Sequence, residues 1–167
     1  MLSKFYDYML KGNQMKELVK VLLEKAGYLV LPYGYESTLS DMKKKLSGRD
    51  VRNSRTARRI RATPDLLVFD EERKDLMLVE VKMRSAPKET SIKYLRITDY
   101  REFWGDSILV VLVPCGNVFY AQKVSELEIK QTYNARKDFE RFEDVFTKVR
   151  AEDVSDFRDR ALQIMKK

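Results

Sequence analysis

Along this chain the spacing of apolar residues changes several times, and each change marks an element. Met15, Leu18, Val19, Leu22 and Ala26 recur at helical spacing, which predicts an amphipathic helix over 14–26 that stops at Gly27. "YLVLPYGY" (28–35) then reads as a short strand and turn, ended by Pro32 and Gly34. Residues 66–69 and 76–83 read as two strands around the turn "DEERKD". Residues 98–104 form a candidate short helix with Thr98 as its N-cap. Residues 107–113 are apolar without alternation, as in a strand buried on both faces, and "PCGN" turns the chain into a further strand, "VFYAQKV".

The C-terminal third returns to helical spacing. Phe139, Phe142, Val145, Phe146 and Val149 fall on one helical face, and Val154, Phe157, Ala161, Leu162 and Met165 on another. Both read as helices packing on the sheet, with a dimer interface as the second role open to them. The order of elements is a mixed α/β pattern around one sheet. It predicts one domain, with a core over about 11–122, an insertion over 36–63 and a C-terminal helical extension over 124–167.

The two strands around "DEERKD" carry charges where burial is expected. Side chains alternate along a strand, so Leu76, Leu78, Glu80 and Lys82 share one face while Met77, Val79, Val81 and Met83 share the other. A turn symmetric about Glu72 and Arg73 places opposite one another residues whose numbers sum to 145, Asp65 with Glu80 among them. Like charges so placed repel, and a cation between them turns the penalty into a binding site. Two carboxylates, a backbone carbonyl (that of Val81) and waters suit Mg²⁺, with Mn²⁺ as a substitute. Lys82 then lies where it can orient a water or stabilise charge on a reacting phosphate. The bland alternative is a set of exposed charges at a sheet edge.

Composition narrows the chemistry. The 167 residues contain no histidine and a single cysteine, Cys115, which excludes histidine acid–base catalysis, thiolate metal cages and an internal disulfide. Carboxylates, lysines and a hard cation are the tools that remain. The lone cysteine points to an intracellular, cytoplasmic setting, and no signal peptide or membrane span is expected. The net charge of +7 favours an anionic partner, nucleic acid first.

At Pro64-Asp65 and Glu80-Val81-Lys82 the chain resembles the PD-(D/E)XK nuclease superfamily. "KGNQMKELVKVLLEKAGYLVL" is similar to the opening helix and strand of the archaeal Holliday-junction resolvases within it. The resemblance implies a restriction-endonuclease-like core, a central mixed β-sheet flanked by helices, here with additional C-terminal helices. It also implies Mg²⁺-dependent phosphodiester hydrolysis, with Asp65 and Glu80 holding metal and Lys82 assisting the attacking water. Many members add a glutamate from the first helix. Glu17 is the nearest candidate here, either in that role or as a solvated surface acid.

The chain departs from the resolvase pattern in its long insertion. Between Met42 and Ala62 stand nine cations against Asp50 alone, a net +8 where the whole chain carries +7. Lys43, Lys44, Lys45, Arg55, Arg58, Arg59 and Arg61 are therefore candidates for gripping a phosphate backbone, with strong salt dependence and little sequence specificity. Lys88, Lys93, Tyr94, Arg96 and Arg101 could contact backbone or an unpaired base, whereas Tyr94, Tyr100 and Trp104 read better as packing residues. The leading expectation is a Mg²⁺-dependent DNA endonuclease, with a homodimer as an open arrangement. The alternatives are a nuclease-like fold that binds nucleic acid without cutting it and an interaction protein working through its C-terminal helices.

Overall fold

A computed structural model describes residues 2–34, 53–84, 91–93, 97–114 and 116–166. The first helix, α1 (Leu2–Lys25), is a dozen residues longer at its start than the periodicity predicts. Apolar spacing marks only the half that is packed; Asp7 and residues 9–14, which precede it, are half-buried or exposed. Gly27 ends the helix with φ +89°. Gly27 N–H donates to Glu24 C=O (2.9 Å) and Tyr28 N–H to Leu23 C=O (3.1 Å), the paired bonds of a Schellman stop.

Among the described residues six strands form the main sheet, β1 (Leu29–Pro32), β2 (Leu66–Asp70), β3 (Asp75–Met83), β5 (Ile108–Leu112), β6 (Phe119–Lys123) and β8 (Glu140–Arg141), in that spatial order. All neighbours are antiparallel except β3 and β5, which run parallel, so the sheet is mixed as expected. Two further strands, β4 (Ser91–Lys93) and β7 (Thr132–Asn134), pair separately. The hairpin follows the predicted register: Leu66 faces Val79 and Asp70 faces Asp75, each pair summing to 145. β5 is buried at every position.

Two cores lie on opposite faces of the sheet. Met15, Val19 and Leu22 of α1 meet Val79, Val81 and Met83 of β3, together with Val154, Phe157 and Ala161 of the last helix. That helix, α6 (Ala151–Lys166), therefore uses its apolar face inside the molecule, as its spacing predicts. On the other face Leu109 and Val111 of β5 pack with Ile97 and Tyr100 of α3 (Ile97–Trp104). Against α3 lies α2 (Arg55–Arg61), capped by Ser54, whose side chain accepts from Ala57 N–H.

Two expectations are corrected. Thr98 does not cap α3, which already includes Ile97. Residues 139–149 are not one helix but a broken path: α4 (Ala135–Asp138) ends at extended Phe139, β8 joins β6, and α5 (Phe142–Val145) follows as a single turn. Phe139, Phe142, Phe146 and Val149 are buried all the same. Spacing of three and four residues reports which side chains go inward, and tertiary pairing with β6 overrides the helical reading of the backbone. Among the described residues no helix is long and apolar enough to cross a membrane.

Candidate active site

The β2–β3 hairpin and α3 bring the charged residues together. Pairing ends at Leu66 opposite Val79, so Asp65 stands one step beyond the ladder. It is nonetheless tied to β3 and β1: its Oδ2 accepts from Val81 N–H (3.0 Å), and its carbonyl accepts from Tyr33 N–H (2.8 Å) and Gly34 N–H (3.1 Å). In a ladder a residue's N–H and C=O point to the same side of the strand. The Val81 carbonyl therefore lies on the side that Asp65 covers.

Glu80 is on the α3 face, as the alternation requires, and is only 3% exposed. Its Oε1 takes two donors, the Tyr100 hydroxyl at 2.6 Å and the Lys82 ammonium. Its Oε2 is buried with no hydrogen-bond partner. Burial holds the carboxyl up at about 7; Lys82 and Tyr100 pull it down, and the neighbouring Asp65 charge pushes it further up. Burial works to lower the Lys82 pKa, but the Glu80 and Asp65 charges outweigh it and the ammonium is held above its ordinary range. Lys82 is thus a cation here, suited to charge stabilisation. Its Nζ also sits 5.7 Å from the Tyr100 ring centroid.

Tyr100, a packing residue by its sequence context, is buried and also carries a polar role. The signal lay in α3 itself. Ile97 and Tyr100 are spaced one turn apart on the face toward the sheet, where Glu80 needs a partner. Lys16 of α1 is the other residue missed, with Nζ 2.6 Å from Asp65 Oδ1. Glu17, about 100° further round the helix, is not brought to the site: its side chain is 65% exposed and faces Lys20 at 3.7 Å.

The oxygens that could hold a hard cation are Asp65, Glu80 Oε2 and the Val81 carbonyl. The donor set fits Mg²⁺, which takes one or two carboxylates and keeps several waters. Among the described residues no group of three or more Asp, Glu, His or Cys converges.

The arginines of α2 divide by role. Arg58 is bound to Asp99 (2.6 and 3.0 Å) and Glu102 (2.8 Å), which fastens α2 to α3. Arg55 reaches Glu102 at 3.2 Å but is 80% exposed. Arg59 is exposed, over the Trp104 ring at 5.5 Å. Arg61 Nε donates to the Ala57 carbonyl at 3.4 Å. Arg101, offered as a backbone contact, donates to the Leu127 carbonyl at 2.7 Å. Lys43, Lys44, Lys45, Lys88, Tyr94 and Arg96 lie outside the described residues.

No family model and no curated protein matches the chain. Among solved structures it is similar to Hjc of Archaeoglobus fulgidus, a Holliday junction resolvase from an archaeal hyperthermophile. That likeness covers 81% of this chain and 94% of the other, at 16% identity and a TM-score of 0.48.

Proposed function

We propose that this chain is a metal-dependent nuclease that hydrolyses phosphodiester bonds in DNA. The observation that carries the reading is Glu80: a carboxylate buried in the sheet, with one oxygen occupied and the other unpartnered, beside a second carboxylate and a lysine. A buried polar atom without a partner costs about 1–3 kcal/mol. A ligand that takes up that oxygen removes the cost. Asp65, Glu80 Oε2 and the Val81 carbonyl would hold Mg²⁺, or Mn²⁺ in its place. Bound there, the ion would supply Lewis-acid polarisation and a water of lowered pKa.

The protein's own groups do the rest. Tyr100 fixes Glu80 through Oε1 and leaves Oε2, which has no hydrogen-bond partner, as the oxygen that would take the ion. Lys82 remains protonated and offsets negative charge that builds on the non-bridging phosphate oxygens as water adds to phosphorus and one bridging P–O bond breaks. Exposed Arg55 and Arg59 supply sequence-independent contacts to the backbone. Purified protein with Mg²⁺ should cleave one or more of linear, single-stranded and four-way-junction DNA, and Glu80→Ala should abolish cleavage while retaining DNA affinity. Cleavage by Glu80→Ala at the wild-type rate would remove the assignment.

One observation favours a second reading, a nucleic-acid-binding protein that does not cut. Lys16 and Lys82 already pair the two carboxylates one for one, so the site is near neutral without a metal. Tight salt-sensitive binding with no cleavage in Mg²⁺ or Mn²⁺ would select it.

A further inference from the structure

Beside the carboxylates lies a second feature that metal chemistry does not use. α3 carries Tyr100 against Glu80, and Trp104 follows one turn later, about 6 Å along the axis. The Trp104 ring meets Tyr33 edge-on, with centroids 6.4 Å apart and planes at 85°. Tyr33 is the residue whose N–H holds the Asp65 carbonyl, and it is 36% exposed. The Arg59 guanidinium lies over Trp104 at 5.5 Å, and Trp104 Nε1 donates to the Arg59 carbonyl at 3.4 Å. Next to this cluster Arg55, Thr56, Arg59 and Phe103 line a pocket of about 210 Å³, with the Arg55 guanidinium 5.7 Å from the Phe103 centroid.

Packing alone does not account for this arrangement. Arg58 already fastens α2 to α3 through Asp99 and Glu102. Arg55 and Arg59 add exposed cations above aromatic rings, next to a hollow smaller than a pocket for a drug-sized ligand. Flat rings and guanidinium planes stack on nucleobases, while the cations meet the flanking phosphates. Within a duplex the base faces are stacked on one another, so only an unpaired nucleotide offers a face to such a surface. We infer that the Tyr33–Trp104–Arg59 cluster and its pocket hold an unpaired nucleobase next to the scissile phosphate, so that the substrate is a strand with at least one unpaired nucleotide. This rests on the nuclease reading for its place in catalysis. As a binding site it can be tested without cleavage.

Trp104 is the only tryptophan in the chain, so its fluorescence reports the site directly. The full chain, kept from cleaving by a chelator, is titrated with a short oligothymidylate, with an abasic strand of equal length and with a blunt duplex. The oligothymidylate should quench Trp104 saturably. The abasic strand, with the same phosphates and no bases, should bind roughly tenfold more weakly and leave the emission unchanged. Tyr33→Ala and Arg59→Gln should each weaken oligothymidylate binding by about tenfold with the melting temperature retained. Equal binding of the abasic strand or of the duplex, absence of quenching, or no binding of any probe overturns the inference. The two proposals fail separately. A protein that cleaves with Mg²⁺ but ignores bases loses the stacking site alone, and one that stacks bases but never cleaves loses the nuclease reading alone.

Discussion

The two ends of the β2–β3 hairpin each bury an acid, and they treat it in opposite ways. Asp70, at the turn, is 2% exposed; Glu80, at the open end, is 3% exposed. Asp70 Oδ1 accepts from Glu72 N–H (3.1 Å), Arg73 N–H (3.2 Å) and Lys148 Nζ (3.2 Å). Burial raises its pKa, but these donors outweigh burial and the carboxyl sits below its ordinary range. Asp153, equally buried at the start of α6, follows the same rule: Arg150 and Lys25 donate to it and hold it at about 2. Glu80 keeps one oxygen unpartnered and rises to about 7. Burial by itself therefore does not mark a functional acid. The mark is near-complete burial without full satisfaction beside further charged groups, since a group that lowers the stability of the fold needs another reason to be there. Glu143 Oε2 also lacks a hydrogen-bond partner, but Glu143 is only half-buried and its Oε1 pairs with Arg141 at 3.5 Å.

The largest effect should fall on activity and should separate the two ends. Asp65→Asn is expected to cut the cleavage rate by about a thousandfold or more, the several kcal/mol of charge stabilisation that a bound metal contributes. Asp70→Asn should leave the rate of the folded protein unchanged while lowering its melting temperature by several degrees, because the turn N–H groups and Lys148 lose their acceptor. Steady-state cleavage measured beside thermal unfolding tests both. A folded Asp70→Asn protein without activity would end the division of roles.

Next in size is a stability effect of opposite sign. Glu80 has a folded pKa of about 7 against an ordinary 4.5, so between those values the native state binds more protons than the unfolded chain. Its unfavourable contribution is absent below about pH 4.5 and complete once pH has risen through 7. Each tenfold in proton affinity is worth about 1.4 kcal/mol, so in the metal-free protein Glu80→Gln should be more stable than wild type by up to about 3 kcal/mol near pH 8. The gap should close as pH falls toward 4.5. Urea unfolding across that range reads it directly. Mg²⁺ should raise the wild-type melting temperature at pH 8 and leave Glu80→Gln unmoved, since only an ionised Glu80 gains a partner.

The contrast between the two ends also explains what could be read from residue order. Alternation along 76–83 assigned Glu80 and Lys82 to one face, and the turn symmetry supplied the register, because both are local properties of a hairpin. The buried strand β5 was legible from its unbroken apolar run. What the order of residues concealed depends on contacts between distant segments. Tyr100 on Glu80 is such a contact, as are Lys16 on Asp65 and Lys148 on Asp70. The broken path through 139–149 has the same cause. Phe142 and Phe146 are spaced for a helix, and β6 draws the residues just before them into the sheet.

A smaller effect should follow from Tyr100→Phe. The ring stays in the core and the hydroxyl that donates to Glu80 Oε1 is lost, while Lys82 still donates to that oxygen. A hydrogen bond to a charged group is worth about 1.5–3 kcal/mol, and with one donor remaining the lower end applies, a loss of about tenfold in cleavage. If Tyr100 acts by fixing Glu80, the Mg²⁺ concentration for half-maximal rate rises too. A purely structural tyrosine would lower the melting temperature and leave that concentration where it was.

The smallest effects belong to α1, where neighbouring residues make opposite claims. The Lys16 ammonium holds Asp65 Oδ1 at 2.6 Å and so competes with any cation for that carboxylate. Both groups are partly exposed, so the pair is worth at most about 1 kcal/mol, and Lys16→Met should lower the Mg²⁺ needed for half-maximal stabilisation by only about fivefold. A rise instead would make Lys16 part of the grip on the phosphate and not a competitor. Glu17, the acid that family resemblance singles out, is exposed and faces Lys20, so Glu17→Gln should change neither cleavage nor Mg²⁺ dependence. A loss of activity there would mean that α1 turns on binding substrate and exchanges Lys16 for Glu17 at Asp65. The side chain nearest Asp65 would then be the resting partner and not the working one.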